Sequence, residues 1–314
     1  MKILASAHKE SIVQTRRLAI LTAFAVTLLA ITLNANADSY SAVIAYGDSL
    51  SDNGNLFAAI GYPPSPPYFD GRFSNGPVAV EQLAATLGVP LVDFAYGGAT
   101  SGIGNFIDGG NQTTPGSLHL PGMQVELAGS TLPPGLAPTS LFLVWGGAND
   151  FLAGGSPTVA ANNIVAIVDA LQAEGATHIL VPGLPNLGLT PEFLADPAAA
   201  TAYTNAFNAA LLAALPPGAS YFDTFAFLNG IEANPGAYGI TNLTTPCFDQ
   251  AAMTVCSDPS HYLFWDDIHP TTSTDAFLAA QFDATVTTPE PSSILLFGSG
   301  LAAMAELLRR RKAA

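Results

Sequence analysis

The stretch "SAVIAYGDSLSDNGN", Ser41 to Asn55, joins an apolar run of strand length to a cluster of small polar residues. Unbroken apolar character over "SAVIAY" predicts a strand buried on both faces, the habit of parallel sheets. Ser49 falls just past the end of that strand. A serine there is either a turn former or a nucleophile, and the rest of the chain has to separate the two.

The same alternation repeats outward from this point. "VAVEQLAATLG" (78–88) reads as a helix stopped by Gly88, and "LVDFAY" (91–96), "SLFLVW" (140–145) and "HILVP" (178–182) are further apolar runs of strand length. Between the last two, "PTVAANNIVAIVDALQAEG" (157–175) is a helix opened by Pro157 and closed by Gly175. "AAATAYTNAFNAALLAAL" (198–215) is another helix, ahead of the run "SYFDTFAF" (220–227). "TSTDAFLAAQFDATV" (272–286) begins with a Thr or Ser cap and alternates like a helix. Strand and helix in turn predict an α/β protein, a mainly parallel sheet covered on both faces. In such sheets ligands bind beyond the carboxyl ends of the strands. Ser49, the pair Gly97 and Gly98, and "GGAND" (146–150) each follow a strand, so three tips converge at one edge.

Charge narrows the function classes. The 314-residue chain has a formal net charge of -15. Four of its nine Lys and Arg lie before residue 18 and four lie at 309–312, so residues 38 to 288 hold 21 acids against Arg72 alone. A region near -20 cannot neutralise phosphates, which excludes nucleic acid as a partner. Anionic lipid surfaces repel it for the same reason, and neutral or zwitterionic substrates fit.

Both ends read as addresses. Residues 1–37 carry Lys2, Lys9, Arg16 and Arg17, an apolar run from Leu18 to Leu33, and an A-x-A site with Ala35 and Ala37, the order of a secretory signal peptide. Residues 289–314 place Pro289, Glu290 and Pro291 before an apolar segment, Ile294 to Leu308, that ends in Arg309, Arg310, Arg311 and Lys312. Basic residues stay on the cytoplasmic side, so each end independently puts residues 38–288 outside. The tail resembles the PEP-CTERM sorting signal of Gram-negative bacteria, with Glu306 inside the apolar segment as a mild departure. That resemblance implies an exosortase-type processing enzyme as partner, membrane attachment through the C-terminal segment until processing, and residence at the cell surface or in the extracellular matrix. In an exported chain the close pair Cys247 and Cys256 predicts a disulfide closing a short loop.

A serine becomes a nucleophile when a base takes its proton and a third group orients that base. His119 sits in a Pro/Gly-rich loop, His178 begins an apolar strand and His261 reads as a surface residue. His269 differs, because "FWDDIHP" places Asp266 three residues ahead of it, on the same side of a turn. Spacing alone leaves this pair open between a catalytic and a structural role. Gly98 and Asn149, at other strand tips, are candidate donors to a developing oxyanion. Asp48 and Asp150 read as loop-bracing groups, Arg72 as a structural hydrogen-bond donor, and Tyr62, Tyr68, Tyr96, Phe106 and Trp145 as either pocket wall or core.

These residues carry a family resemblance. "GDSLSDNGN", "FAYGGATS", "WGGAND" and "WDDIHP" resemble, in order, blocks I, II, III and V of the SGNH or GDSL hydrolases. "PPYFDGRFSNGPVAVEQLA" and "VPGLPNLGLTP" resemble the subgroup of plant GDSL esterases and secreted bacterial phospholipases and acyltransferases. The resemblance implies a flavodoxin-like three-layer α/β/α sandwich, a triad of Ser49, His269 and Asp266, and an oxyanion hole of Ser49, Gly98 and Asn149. It implies no metal and no cofactor. The expected activity is carboxylic ester hydrolysis. Acyl transfer, polysaccharide deacetylation and noncatalytic matrix binding stand as the alternatives.

Overall fold

The structure, a computed structural model, describes residues 40–287 except residue 134. The signal-peptide and sorting-tail readings, residues 1–37 and 289–314, lie outside the described residues. Among the described residues no helix is long and apolar enough to cross a membrane.

In chain order the main elements are β1 (Val43–Gly47), α1 (Asn55–Ile60), α2 (Ala79–Leu87), β2 (Leu91–Asp93), α3 (Met123–Gly129), β3 (Leu141–Trp145), α4 (Ala148–Leu152) and α5 (Pro157–Ala173). There follow β4 (His178–Pro182), α6 (Ala198–Ala214), β5 (Ala219–Phe222), α7 (Thr224–Ala233), β6 (Phe248–Asp249), β7 (Thr254–Val255) and α8 (Thr272–Thr287). Five strands form one sheet in the order β2-β1-β3-β4-β5, every pairing parallel. Val43 is in register with Leu91 on one side and with Leu141 on the other. The chain leaves β1 for β2 in one direction and returns past it to β3, so the strand order reverses between β1 and β3. A crevice opens at the carboxyl ends of strands at such a reversal.

The pleat explains why the central strands β1 and β3 are buried throughout. Successive side chains point to opposite faces. Ile44, Tyr46, Phe142, Val144, Ile179 and Val181 cluster with Ile164, Ile167 and Leu171 of α5 and Phe207 and Leu211 of α6. Val43, Ala45, Leu143, Trp145 and Leu180 cluster instead with Val80 and Leu83 of α2 and Leu278 and Phe282 of α8. Helices thus cover both faces, giving the three-layer α/β/α arrangement.

Two runs read from sequence are cut short by aspartates. "LVDFAY" is strand only over Leu91–Asp93; beyond it the Asp93 carboxylate accepts the N–H of Ala95 at 3.0 Å, while Phe94 and Tyr96 still donate to the Ala45 and Gly47 carbonyls of β1. "SYFDTFAF" divides at Asp223, whose carboxylate accepts the Ala226 N–H at 2.8 Å and caps α7. At α8 the cap falls one residue ahead of the run 272–286, at Thr271, whose Oγ1 accepts the Thr274 N–H at 3.3 Å. The predicted disulfide is present: Cys247 bonds Cys256 across the β6–β7 hairpin.

Candidate active site

Ser49 occupies the first turn after β1. The Asp48 carbonyl accepts the N–H groups of Ser51 and Asp52 at 3.0 and 2.9 Å, and its Oδ1 accepts that of Leu50 at 3.1 Å, which tightens the turn around the serine. Asp52 then accepts from Gly54, Asn55 and Leu56, holding the start of α1, and from Gly97 at 2.7 Å. That last bond separates the two glycines of "YGGAT": the Gly97 N–H is already spent on Asp52. Gly98 has φ +79, a conformation that favours glycine, and a Cβ there would lie 2.5 Å from Asn105 Oδ1 and 2.7 Å from Ile107 Cγ1.

Asn149 lies in the first turn of α4, which starts after Gly147. Gly147 has φ +115, and a Cβ on it would meet the ring of the buried Phe207 at 2.6 Å. Asn149 Nδ2 donates to the Ala99 carbonyl at 3.1 Å, which fixes the amide and leaves its second N–H. Asp150 accepts from the Ser101 N–H at 2.8 Å and the Ser101 hydroxyl at 2.7 Å, tying α4 to the loop that carries Gly98. Asp48 and Asp150 thus brace loops, as their sequence positions suggested.

The remaining part of the site is the turn before α8. Asp266 Oδ1 accepts the N–H groups of Ile268 and His269 at 3.0 and 2.7 Å, so the carboxylate folds its own turn. The ring of His269 comes back onto that carboxylate, Nδ1 standing 2.8 Å from Oδ2 and 2.9 Å from Oδ1. His269 Nε2 lies 2.8 Å from Ser49 Oγ, joining residues 220 positions apart. Phe73 packs against the imidazole with ring centroids 4.8 Å apart. The other histidines stand elsewhere: His178 starts β4 edge-on to Tyr40, His261 pairs with Asp258 at the surface, and His119 holds a loop position with φ +55.

Ser49, Asn149 and His269 share the wall of a cleft of about 800 Å³, its open mouth included. Away from them the wall is mainly apolar, with Leu152, Leu187, Phe193, Leu228 and Ile268 among its side chains. Gly98 is not among the lining residues. Of the five aromatics read as wall or core, Trp145 lines the cleft. Tyr62 and Phe106 are exposed, and Tyr96 packs partly buried beside Leu56 and Phe73. Tyr68 is buried and bonds Asp266. Arg72 is structural, in a two-bond pair with Glu81 at 2.7 and 3.2 Å. Part of the wall comes from segments after β4 and β5, among them Leu187, Phe193 and Leu228, whose position beyond strand ends was the available signal.

The carboxyls around this edge divide by sign. Burial would raise Asp266, yet the His269 ring and the hydrogen bonds from His269, Tyr68 and the backbone outweigh it and hold the carboxyl below the ordinary range. Asp48 is pushed up to about 7, chiefly by burial, and its Oδ2 has no hydrogen-bond partner among the described residues. Burial also raises Asp52, Asp93, Glu126 and Asp150. A carboxyl raised on folding binds more protons folded than unfolded at mid pH, so stability falls as pH rises from its unfolded value through its folded one. Asp266 acts oppositely, and its contribution is lost only below the ordinary carboxylate range. Thermal unfolding is therefore expected to give a higher Tm at pH 5 than at pH 7.5, and a Tm that climbs over that interval would contradict this balance.

Comparison with known proteins agrees with the fold and the motifs. Residues 43–282 match the GDSL-like lipase/acylhydrolase family, and the chain belongs to that family. Residues 287–312 match the PEP-CTERM protein-sorting motif, which marks the chain for export. The phosphatidylcholine-sterol acyltransferase of Aeromonas hydrophila is 38% identical over 175 residues, covering 52% of this chain and 51% of the relative. The thermolabile hemolysin of Vibrio parahaemolyticus is 31% identical over 273 residues, covering 77% of this chain and 63% of the relative. The chain thus spans less than two thirds of the length of either. A solved structure from Parabacteroides merdae, described as a GDSL-like lipase, shares the fold with a TM-score of 0.50 at 12% identity, covering 80% of this chain and 97% of its own.

Proposed function

We propose that the protein is an exported serine ester hydrolase that works through an acyl-enzyme on Ser49. The observation that carries this reading is the line from Ser49 Oγ through His269 to Asp266, 2.8 Å at each step, at the wall of an apolar cleft. As Ser49 attacks the ester carbonyl, His269 Nε2 takes its proton, and Asp266 holds the ring and balances the imidazolium. The N–H groups of Ser49 and Gly98 and the second amide N–H of Asn149 receive the oxyanion. His269 then gives its proton to the leaving alcohol and activates the water that frees the acid. No metal or cofactor enters these steps. Residues 38–288 constitute the exported catalytic part, and the Cys247–Cys256 bond suits an oxidising compartment.

The cleft sets the substrate class. An acetyl group would leave most of its apolar wall unfilled, which argues against polysaccharide deacetylation and for a longer acyl chain. The lack of cations around a region near -20 favours neutral or zwitterionic esters. The name of the Aeromonas relative supports a second reading, transfer of the acyl group to an alcohol in place of water. Both readings share the same acyl-enzyme, and a product assay with added acceptor alcohols separates them.

The test is hydrolysis of p-nitrophenyl esters of graded chain length by the full chain beside Ser49→Ala. The octanoate is expected to exceed the acetate in kcat/KM by about tenfold or more, since each buried methylene is worth about 0.8 kcal/mol. Ser49→Ala is expected to be inactive on both, and equal rates in wild type and variant would overturn the reading. Within it, Asn149→Ala is expected to lower kcat by roughly 10²- to 10³-fold, the usual cost of one oxyanion donor. Steady-state kinetics on the octanoate checks this, and a loss under about threefold would remove Asn149 from the oxyanion site.

A further inference from the structure

Asp266 is buried, and its two oxygens receive four donors. Oδ1 takes the two backbone N–H groups of its own turn, and Oδ2 takes His269 Nδ1 and the hydroxyl of Tyr68, the latter at 2.7 Å. Tyr68 lies 198 residues away in sequence, in the Pro-rich segment before α2. Its ring is enclosed by Phe73, Phe248 and Trp265, with centroids 6.0, 5.6 and 6.4 Å away, so it has little freedom to turn. The Tyr68 hydroxyl also meets Gln250 Nε2 at 2.9 Å. An amide nitrogen only donates, so the hydroxyl accepts from Gln250 and is left to give its single proton to Asp266.

Gln250 stands between β6 and β7, inside the loop that the Cys247–Cys256 bond closes. The hairpin is anchored beside the site: the Phe248 N–H donates to the Trp265 carbonyl at 2.6 Å and the Cys247 N–H to the Phe264 carbonyl at 3.1 Å. Phe248 also stacks on Trp265, the residue before Asp266, with centroids 5.8 Å apart. Besides Asp266, the titratable groups acting on the Tyr68 hydroxyl are Tyr62 and Asp267.

From this chain of contacts we infer that Tyr68 is a positioning residue for Asp266, and that Gln250 of the disulfide-closed hairpin sets the direction of the Tyr68 hydroxyl. This rests on the hydrolase reading, in which Asp266 orients His269. Tyr68 reaches neither the cleft nor the reacting atoms. It acts by fixing the carboxylate plane so that both oxygens face Nδ1, and by carrying part of the carboxylate charge in a charge-assisted bond.

The test compares full-length wild type with Tyr68→Phe, Gln250→Ala and the double variant. Tyr68→Phe keeps the enclosed ring and removes only the hydroxyl. It is expected to lower kcat/KM on the octanoate ester about tenfold, through kcat, and to shift the acid limb of the kcat/KM profile upward, since a carboxylate stripped of one donor holds the dyad's proton more tightly. Gln250→Ala is expected to have a smaller effect that vanishes in the Tyr68→Phe background, because the hydroxyl it orients is gone. An effect of Gln250→Ala that simply adds to that of Tyr68→Phe would overturn the coupling. A readout independent of any substrate is the downfield imidazole Nδ1–H proton resonance of His269. Loss of a competing donor on Oδ2 is expected to move it further downfield in Tyr68→Phe. An unmoved resonance together with an unmoved acid limb would overturn the positioning role. Failure of the hydrolase reading looks different: wild type would cleave no ester while the resonance still moved.

Discussion

Replacing His269 by alanine is expected to lower kcat for ester hydrolysis on the order of 10⁶-fold, and adding Ser49→Ala to it to cost almost nothing more. The magnitude follows from how nucleophile and base act as one unit in serine hydrolases, where either single loss costs about as much as all losses together. Here the unit is the 2.8 Å contact between His269 Nε2 and Ser49 Oγ. Among the described residues the base bonded to the Ser49 hydroxyl is His269; Asp48 is adjacent in sequence, but its Oδ1 accepts the Leu50 N–H and its Oδ2 is buried. Turnover of the octanoate ester by the two single variants and the double variant checks this. Multiplying losses, or a His269→Ala enzyme within about a hundredfold of wild type, would show that the two side chains do not work together.

Asp266→Asn is expected to lower kcat by roughly 10⁴-fold while leaving KM nearly unchanged. The asparagine oxygen can keep the two backbone bonds now made by Oδ1, so the turn survives. Its NH₂ then takes the place of Oδ2 and faces two donors, the Tyr68 hydroxyl and His269 Nδ1–H. The imidazole escapes that conflict by carrying its proton on Nε2, the tautomer that cannot take a proton from Ser49. KM changes little because Asp266 does not line the cleft. The kinetic split, with an unchanged near-UV circular dichroism spectrum, is the check, and a loss below about tenfold would make Asp266 a turn former only.

Much of this edge of the protein is legible in the sequence, because its parts are local. Ser49 sits in the turn directly after β1, Asn149 in the first turn of the helix that follows β3, and Gly98 in the loop after β2, and the runs before them announce themselves as apolar with polar stops. Asp266 and His269 share one turn, so an i, i+3 spacing was enough to pair them. What spacing could not resolve is which glycine keeps its N–H. That depends on Asp52, 45 residues before Gly97, accepting one bond. The shortened β2 shows a similar limit, since Asp93 looks like an ordinary strand residue until its carboxylate is seen turning back on Ala95. Tyr68 was legible only as an aromatic of either pocket wall or core. Its hydroxyl acquires meaning from partners 198 and 182 residues away, and no local pattern encodes a contact at that distance.

The cleft wall was the least legible part. Leu187 lies in a stretch whose family resemblance says nothing of a wall, Phe193 and Leu228 lie in segments whose composition is that of any packed loop or helix, and they converge because β4 and β5 end at the same edge as β1 and β3. Acyl preference therefore belongs to the three-dimensional arrangement, whereas the reacting groups belong to the motifs.

The most direct test of the central claim is covalent labelling of the folded, full-length protein with a fluorophosphonate, followed by intact mass and peptide mapping. The account predicts one adduct per chain, on the peptide containing Ser49, absent in Ser49→Ala and strongly slowed in His269→Ala. A folded protein that takes no label, or takes it at a site other than Ser49, would contradict it.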